Sequence, residues 1–159
     1  MSDIKKTNAM RLLDQAHIPY KCYEYETVDG KIDAISVARK IGQEPEQVFK
    51  TLVTQSPARE HFVFVIPSVC ELDLKLAAKA AGQKSIEMLP LKQLLSTTGY
   101  VHGGCSPIGM KKPFPTFIDE TALLYDTFCV SAGKIGLNLC LSPTVLASFL
   151  QATFQDLAR

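Results

Sequence analysis

Val48-Phe49-Lys50-Thr51-Leu52-Val53, a Ser56-Pro57 turn and His61-Phe62-Val63-Phe64-Val65-Ile66 set the fold class of this chain. Both runs carry the β-branched and aromatic residues that suit a pleated surface, and their short connection reads as a hairpin. The second run is almost continuously apolar, so a central strand buried on both faces is expected. Toward the N-terminus, Thr7 is placed to cap a helix with Ala9, Met10, Leu12, Leu13 and Ala16 on one face, ended by Pro19. Tyr20 to Tyr25 reads as a strand, Asp29-Gly30 as a turn, and Asp33 as the cap of a second helix that Gly42 stops. Toward the C-terminus, Asp73 opens a third helix closed by Gly82. A short strand at 85–88 and a short helix at 91–95 follow. Strands are then expected at 116–118, 127–130 and 137–141, and Ser142-Pro143 starts a last helix. Helices and strands are mixed without strict alternation. The expected fold is therefore α+β: a curved mixed, mostly antiparallel sheet with helices packed on it, in one domain over 1–159.

The 159 residues are 47% hydrophobic, enough to build a full core. A formal net charge of +1 excludes a polycation that coats nucleic acid by charge alone. No apolar run reaches the roughly 18 residues of a membrane helix. Met1 to Lys6 lacks the apolar centre of a signal peptide, so a cytoplasmic protein with no membrane partner is expected. Five cysteines, with no C-x-x-C pair, argue against a disulfide framework and a zinc ribbon, and are expected as reduced thiols. His17, His61 and His102 are widely separated, and neither a metal nor a cofactor is expected.

Two glycine loops stand out: Gly103-Gly104-Cys105-Ser106-Pro107-Ile108-Gly109, followed by Met110-Lys111-Lys112, and Ser131-Ala132-Gly133-Lys134-Ile135-Gly136. Neither matches the Walker or dinucleotide spacing. Glycine loops with lysines suit close approach of backbone N–H groups to an anionic ligand. The strands beside the loops can pair, which would bring the loops together. Lys50 sits inside an apolar strand, so either its stem lies along the sheet to reach a site or it faces solvent. Lys134 lies in a tight loop. Ser106 and Ser131 can donate to a ligand or cap turns. Tyr20, Tyr23 and Tyr25 offer stacking rings or core. Cys105 has His102 three residues away, but a catalytic cysteine needs a base in place or a lowered pKa. No protein nucleophile is evident.

The set Phe49-Lys50-Thr51-Leu52-Val53, Gly103 to Gly109 and Val130 to Gly136, in this order and spacing, resembles the YbaK/EbsC family. These are free-standing relatives of the editing domain in bacterial prolyl-tRNA synthetases. The resemblance runs from the Thr7 helix to the Ser142-Pro143 helix, and is nearest to the cysteine-specific branch that hydrolyses Cys-tRNA(Pro). It implies the barrel-like editing-domain fold. It also implies a deacylase acting in trans on the aminoacylated 3′ end of tRNA, with Cys-tRNA(Cys) as a further substrate. Hydrophobic pockets discriminate by only about 1–3 kcal/mol per methylene, so smaller amino acids are mischarged and need a second, hydrolytic site.

Carried over by motif, Lys50, Gly103, Gly104 and Ser131 are the catalytic candidates. Tyr25, Thr51, Ser106, Pro107, Gly133 and Lys134 are the substrate-binding ones. Lys50 would suit a phosphate of the terminal adenosine, and the two glycines an oxyanion hole. In the cysteine-specific branch the substrate thiol attacks its own ester and leaves as a thiolactone, which explains a site without a protein nucleophile. Cys105 stands where relatives often have an aliphatic residue, and Ala132 where glycine is common. The resemblance also implies a transient complex with prolyl-tRNA synthetase. Two other readings stay open: an Ala-tRNA(Pro) or broader aminoacyl-tRNA deacylase using water, and a non-catalytic module binding a nucleotide or the tRNA end.

Overall fold

The computed structural model describes residues 5–159, so the expected absence of a leader over 1–6 rests partly on residues outside the described ones. The strands are β1 (Lys21–Glu24), β2 (Phe49–Gln55), β3 (His61–Pro67), β4 (Glu87–Met88), β5 (Thr116–Asp119), β6 (Phe128–Ser131), β7 (Leu137–Leu141) and β8 (Thr153–Gln155). The α-helices are α1 (Asn8–Gln15), α2 (Ala34–Ile41), α3 (Leu74–Ala81), α4 (Leu94–Thr98) and α5 (Pro143–Leu150). Among the described residues no helix is long and apolar enough to cross a membrane.

β2 and β3 form the expected antiparallel hairpin, with Lys50 opposite Ile66 and Val53 opposite Val63. They belong to a five-stranded sheet ordered β4-β2-β3-β5-β8. A second, three-stranded sheet is ordered β1-β7-β6 and is antiparallel throughout. A single bridge between Val48 and Cys129 links the two. The pairings of β5 with β3 and β8 are parallel, which makes the larger sheet mixed. The α+β class therefore holds, whereas a closed barrel does not form: both sheets keep open edges.

The reason β3 tolerates so apolar a sequence is visible in its two faces. Phe62, Phe64 and Ile66 pack with Leu72, Ala77 and Ala78 around α3, and Phe64 stacks on Phe117 at 5.3 Å. Val65, on the opposite face, joins the main core between the sheets with Met10, Leu13, Phe49, Phe128, Leu139 and Leu146. Alternation along the strand thus feeds two cores at once.

Local signals place the helices. Thr7 Oγ1 accepts from Met10 N, Asp33 from Ser36 N, Asp73 from Lys75 N and Leu76 N, and Ser142 from Val145 N. Gly42 and Gly82 end α2 and α3 in the left-handed conformation, at φ 72° and 67°. α1 ends earlier than Pro19. His17 turns left-handed at φ 57°, and Ile18 N donates to Leu13 O at 3.0 Å, closing the helix before the proline is reached.

The cysteines depart from expectation. Cys129 and Cys140 are directly opposite on β6 and β7 and form a disulfide, with Cα atoms 4.2 Å apart. The pairing register brings them together, a relation that residue spacing does not disclose. Cys22, Cys70 and Cys105 are free.

β8 is also absent from the sequence reading. It is held by Asp119, which is 1% exposed. Asp119 Oδ1 accepts from Leu157 N at 3.0 Å and Ala158 N at 2.9 Å, while Oδ2 accepts from Thr121 N at 3.2 Å and from the Thr121 hydroxyl. One buried carboxylate therefore ties the C-terminal segment and the 3-10 turn at 120–124 to β5. Removing it orphans two buried or part-buried N–H groups of the tail. Asp119→Ala is expected to lower unfolding stability by about 2–4 kcal/mol, read by urea denaturation. A loss below about 0.5 kcal/mol, the range of an ordinary surface substitution, would refute the tie.

Candidate active site

A cleft of about 610 Å³ is lined by residues of both sheets. Its floor is the first half of β2, from Phe49 to Leu52, with Val48 before it. One wall is the segment Gly30 to Ala34, leading into α2. His102, Gly103 and Cys105 of the first glycine loop line the cleft too. Ser131 and Asn138, opposite one another on β6 and β7, close one end.

Lys50 lines the cleft together with Val48, Phe49, Thr51 and Leu52, residues from both faces of the strand. Its stem is half-buried against this surface. Its ammonium has neither a carboxylate nor a hydrogen-bond partner among the described residues. The sequence left two orientations for Lys50; it is among the residues that line the cleft, and its cross-strand neighbour is Ile66. Beside it, Thr51 Oγ1 is buried and is the only such side-chain polar atom without a partner among the described residues. Tyr25, 8% exposed, lines the cleft from the end of β1, where its N–H donates to Gly136 O at 2.9 Å.

The two glycine loops do meet. A Cβ on Gly104 would lie 3.0 Å from the Ile135 backbone nitrogen and 3.3 Å from the Lys134 carbonyl carbon. Only glycine allows this approach of backbone to backbone. Tyr100 clasps the same two loops. Its hydroxyl donates to Ile108 O, and its ring lies 2.9 Å from where a Gly133 Cβ would be. Burial pushes the Tyr100 phenol up to about 12, which keeps it protonated as a donor.

The other expected site residues divide between the cleft lining and the loops beside it. Gly104 N–H donates to Val101 O at 3.0 Å, whereas the Gly103 N–H has no acceptor among the described residues. Ser106 is fully buried and its Oγ accepts from Ile108 N at 3.2 Å, a turn-capping role. Gly104, Ser106, Pro107, Gly133 and Lys134 do not line the cleft, and Lys134 is exposed. Ser131 does line it, with its Oγ accepting from Gly133 N at 3.1 Å.

Asn138, Asp33, Lys31, Ser68 and His102 also line the cleft and were not singled out for it by sequence, His102 apart. Asn138 is 6% exposed and stands in a strand that is otherwise wholly apolar from Leu137 to Leu141, which is the signal that marks it. Asp33 carries a carboxylate at the cleft, held below its usual pKa by hydrogen bonds from Ser36. Cys105 and His102 share the cleft. Burial pushes the Cys105 thiol up to about 12, and the Thr98 hydroxyl beside it only partly offsets this. Such a thiol is protonated at neutral pH and is a poor nucleophile. Among the described residues no cluster of His, Cys, Asp and Glu is placed to hold a metal. The cleft is thus lined by Lys50, by Gly103, whose N–H has no acceptor among the described residues, and by polar side chains, and its thiol is not activated.

Similar proteins share this architecture. The chain is 48% identical over 153 residues to EbsC of Enterococcus faecalis, covering 96% of this chain and 93% of that protein. The name of that relative proposes a Cys-tRNA(Pro)/Cys-tRNA(Cys) deacylase activity. A solved structure described as a proposed trans-editing enzyme for prolyl tRNA synthetase superposes with a TM-score of 0.83 at 24% identity, over 95% of this chain and 92% of that one. Another, described only as a hypothetical protein, gives 0.85 at 18% identity, over 94% and 97%. Residues 31–149, which include all the cleft-lining residues except Tyr25 and Gly30, match the model of the aminoacyl-tRNA editing domain. The chain belongs to the aminoacyl-tRNA editing domain family, the YbaK/EbsC family that its lysine strand and two glycine loops resemble.

Proposed function

We propose that this protein is a trans-acting deacylase that removes cysteine from mischarged Cys-tRNA(Pro), with Cys-tRNA(Cys) as a further substrate. The observation that carries this reading is a cleft with an unpaired ammonium and no activated protein nucleophile. Such a site suits a substrate that brings its own nucleophile. The high identity to EbsC supports the choice of cysteine.

The substrate thiol attacks the carbonyl carbon of its own ester. A C–S bond forms, the C–O bond to the ribose breaks, and the thiol proton ends on the ribose hydroxyl. The products are free tRNA and a cysteine thiolactone, which water opens afterwards. The protein's part is to hold thiol and carbonyl in reacting geometry, since proximity alone supplies large effective molarities. The Gly103 N–H is the donor for the developing oxyanion. The Lys50 ammonium binds a phosphate of the terminal adenosine as a compact point charge. Tyr25, Thr51 and Ser131 position the aminoacyl end. Gly104, Ser106, Pro107, Gly133 and Lys134 shape the loops that hold Gly103 and Ser131 in place.

The nearly balanced charge gives the chain little general attraction for tRNA. A transient complex with prolyl-tRNA synthetase would supply the missing affinity, in a cytoplasmic setting.

Release of tRNA from Cys-tRNA(Pro), Ser-tRNA(Pro) and Ala-tRNA(Pro) separates the mechanisms. The cysteinyl ester is expected to be lost fast and the other two to survive. Lys50→Ala is expected to lower kcat/KM on the order of 10²-fold, as for loss of one electrostatic contact to a reacting substrate. Equal loss of alanyl and cysteinyl esters would replace the substrate thiol by water as nucleophile. No loss of any ester would leave a binding module. In the same assay, Cys105→Ser is expected to keep kcat/KM within about threefold, because a protonated buried thiol does not attack. A collapse of activity in that variant, with unchanged melting temperature, would make Cys105 a participant.

A further inference from the structure

The segment between β1 and α2 crosses the cleft as a strap: Gly30, Lys31, Ile32 and Asp33 all line the cavity. It carries no regular secondary structure from Tyr25 to Asp33, so its shape must be fixed by something else. Both ends are held locally. Tyr25 N–H is bonded to Gly136 O, and the Asp33 carboxylate caps α2. Between those ends, the strap converges on one cation from the last turn of α2.

The Lys40 ammonium donates to Glu26 O at 2.8 Å, Asp29 Oδ1 at 2.9 Å and Lys31 O at 3.0 Å. The Glu26 carboxylate lies 3.6 Å away as a second counter-charge. An ammonium has three N–H donors, and here all three are used. An exposed ion pair by itself contributes about 0–1 kcal/mol. This arrangement differs because two of the three acceptors are main-chain carbonyls five residues apart, so the cation fixes backbone shape as well as balancing charge. Its side chain is only 17% exposed. The Ile32 side chain reaches the first glycine loop, with its Cδ1 3.6 Å from where a Gly103 Cβ would lie. The strap therefore spans from the Lys40 clamp to the residue that offers the oxyanion donor.

Resting on the deacylase reading above, we propose that Lys40 is a positioning residue: it clamps the strap so that Ile32 and its neighbours wall the cleft against Gly103. It touches no substrate, and acts through main-chain carbonyls. A neutral side chain of the same length cannot replace it. Arginine keeps the charge and several donors, and can reform most of the clamp.

The test compares wild type, Lys40→Met and Lys40→Arg by three measurements: melting temperature, amide hydrogen exchange over residues 26–33, and KM and kcat on the ester that wild type hydrolyses. In Lys40→Met, exchange over the strap is expected to quicken at least about tenfold, as for a locally released segment, with the β2–β3 hairpin unchanged. KM is expected to rise about tenfold with kcat within about threefold, the pattern of lost ground-state and transition-state binding together. Lys40→Arg should restore most of both. Unchanged exchange over 26–33, or quickened exchange with unchanged KM, would overturn the proposal. So would a general fall in protection across the hairpin, which would make Lys40 merely structural. A wild type that hydrolyses no ester would sink the deacylase reading and the positioning role built on it, while the exchange measurement would still report whether the clamp exists.

Discussion

The cleft depends on one close approach, that of Gly104 to the backbone of Lys134 and Ile135. The first loop lies outside regular secondary structure, and the second is the turn that joins β6 to β7. They become a wall only by packing main chain on main chain, at a distance where any Cβ would sit 3.0 Å from a backbone nitrogen. A contact so short leaves no slack, because neither partner is a flexible side chain that can yield. Tyr100 adds a second tie at right angles to this logic. Its ring covers Gly133 in one loop and its hydroxyl donates into the other. The glycines thus serve chiefly to bring loops together, and Gly103, which lines the cleft, keeps an N–H with no acceptor among the described residues.

That division explains how the cleft can lack a nucleophile and still act on an ester. The groups lining the cavity include lysines, the Asp33 carboxylate and neutral hydrogen-bonding side chains, which can bind and orient a charged substrate. The one thiol nearby is buried and protonated. Chemistry that needs no deprotonated protein group makes few demands on pKa tuning and many on geometry. The fold meets those demands with fixed backbone: a central strand locked in both cores, a hairpin end, a loop pinned by glycine contact and a strap drawn onto α2.

Much of this was legible in the chain because the signals are local. The hairpin of β2 and β3, four side-chain helix caps and two glycine stops all follow from residues within one turn of the feature they specify. Lys50 was visible as a charge inside an apolar strand, although its side of the sheet was not. What could not be read depends on partners far along the sequence. β8 is three residues long and gains its place from Asp119, nearly forty positions earlier. The Lys40 clamp joins a helix end to carbonyls that carry no sequence signature. Tyr100 carries no local sequence signal, and its role depends on Ile108 and Gly133. Asn138 lay in plain view as the lone polar residue of β7, and its meaning appears only when Ser131 is found opposite.

The disulfide shows the same limit from the other side, and it bears on the site. Cys129–Cys140 lies on the β6–β7 ladder two rungs from the Ser131–Asn138 pair. In an antiparallel pair, a slip of one residue sends every side chain to the opposite face. Here such a slip would turn Ser131 or Asn138 out of the cleft and bury an apolar neighbour's position instead. A covalent bond between opposed residues fixes the register outright, so the two polar groups at the end of the cleft hold their facing positions even though the loop joining them contains two glycines. Cys129 and Cys140 also pack with Tyr25, Val37, Ala38 and Val48, the apolar layer beneath α2. The same small cluster therefore supports the hairpin that presents Ser131 and Asn138, the strand that presents Lys50 and the helix whose far end holds the strap.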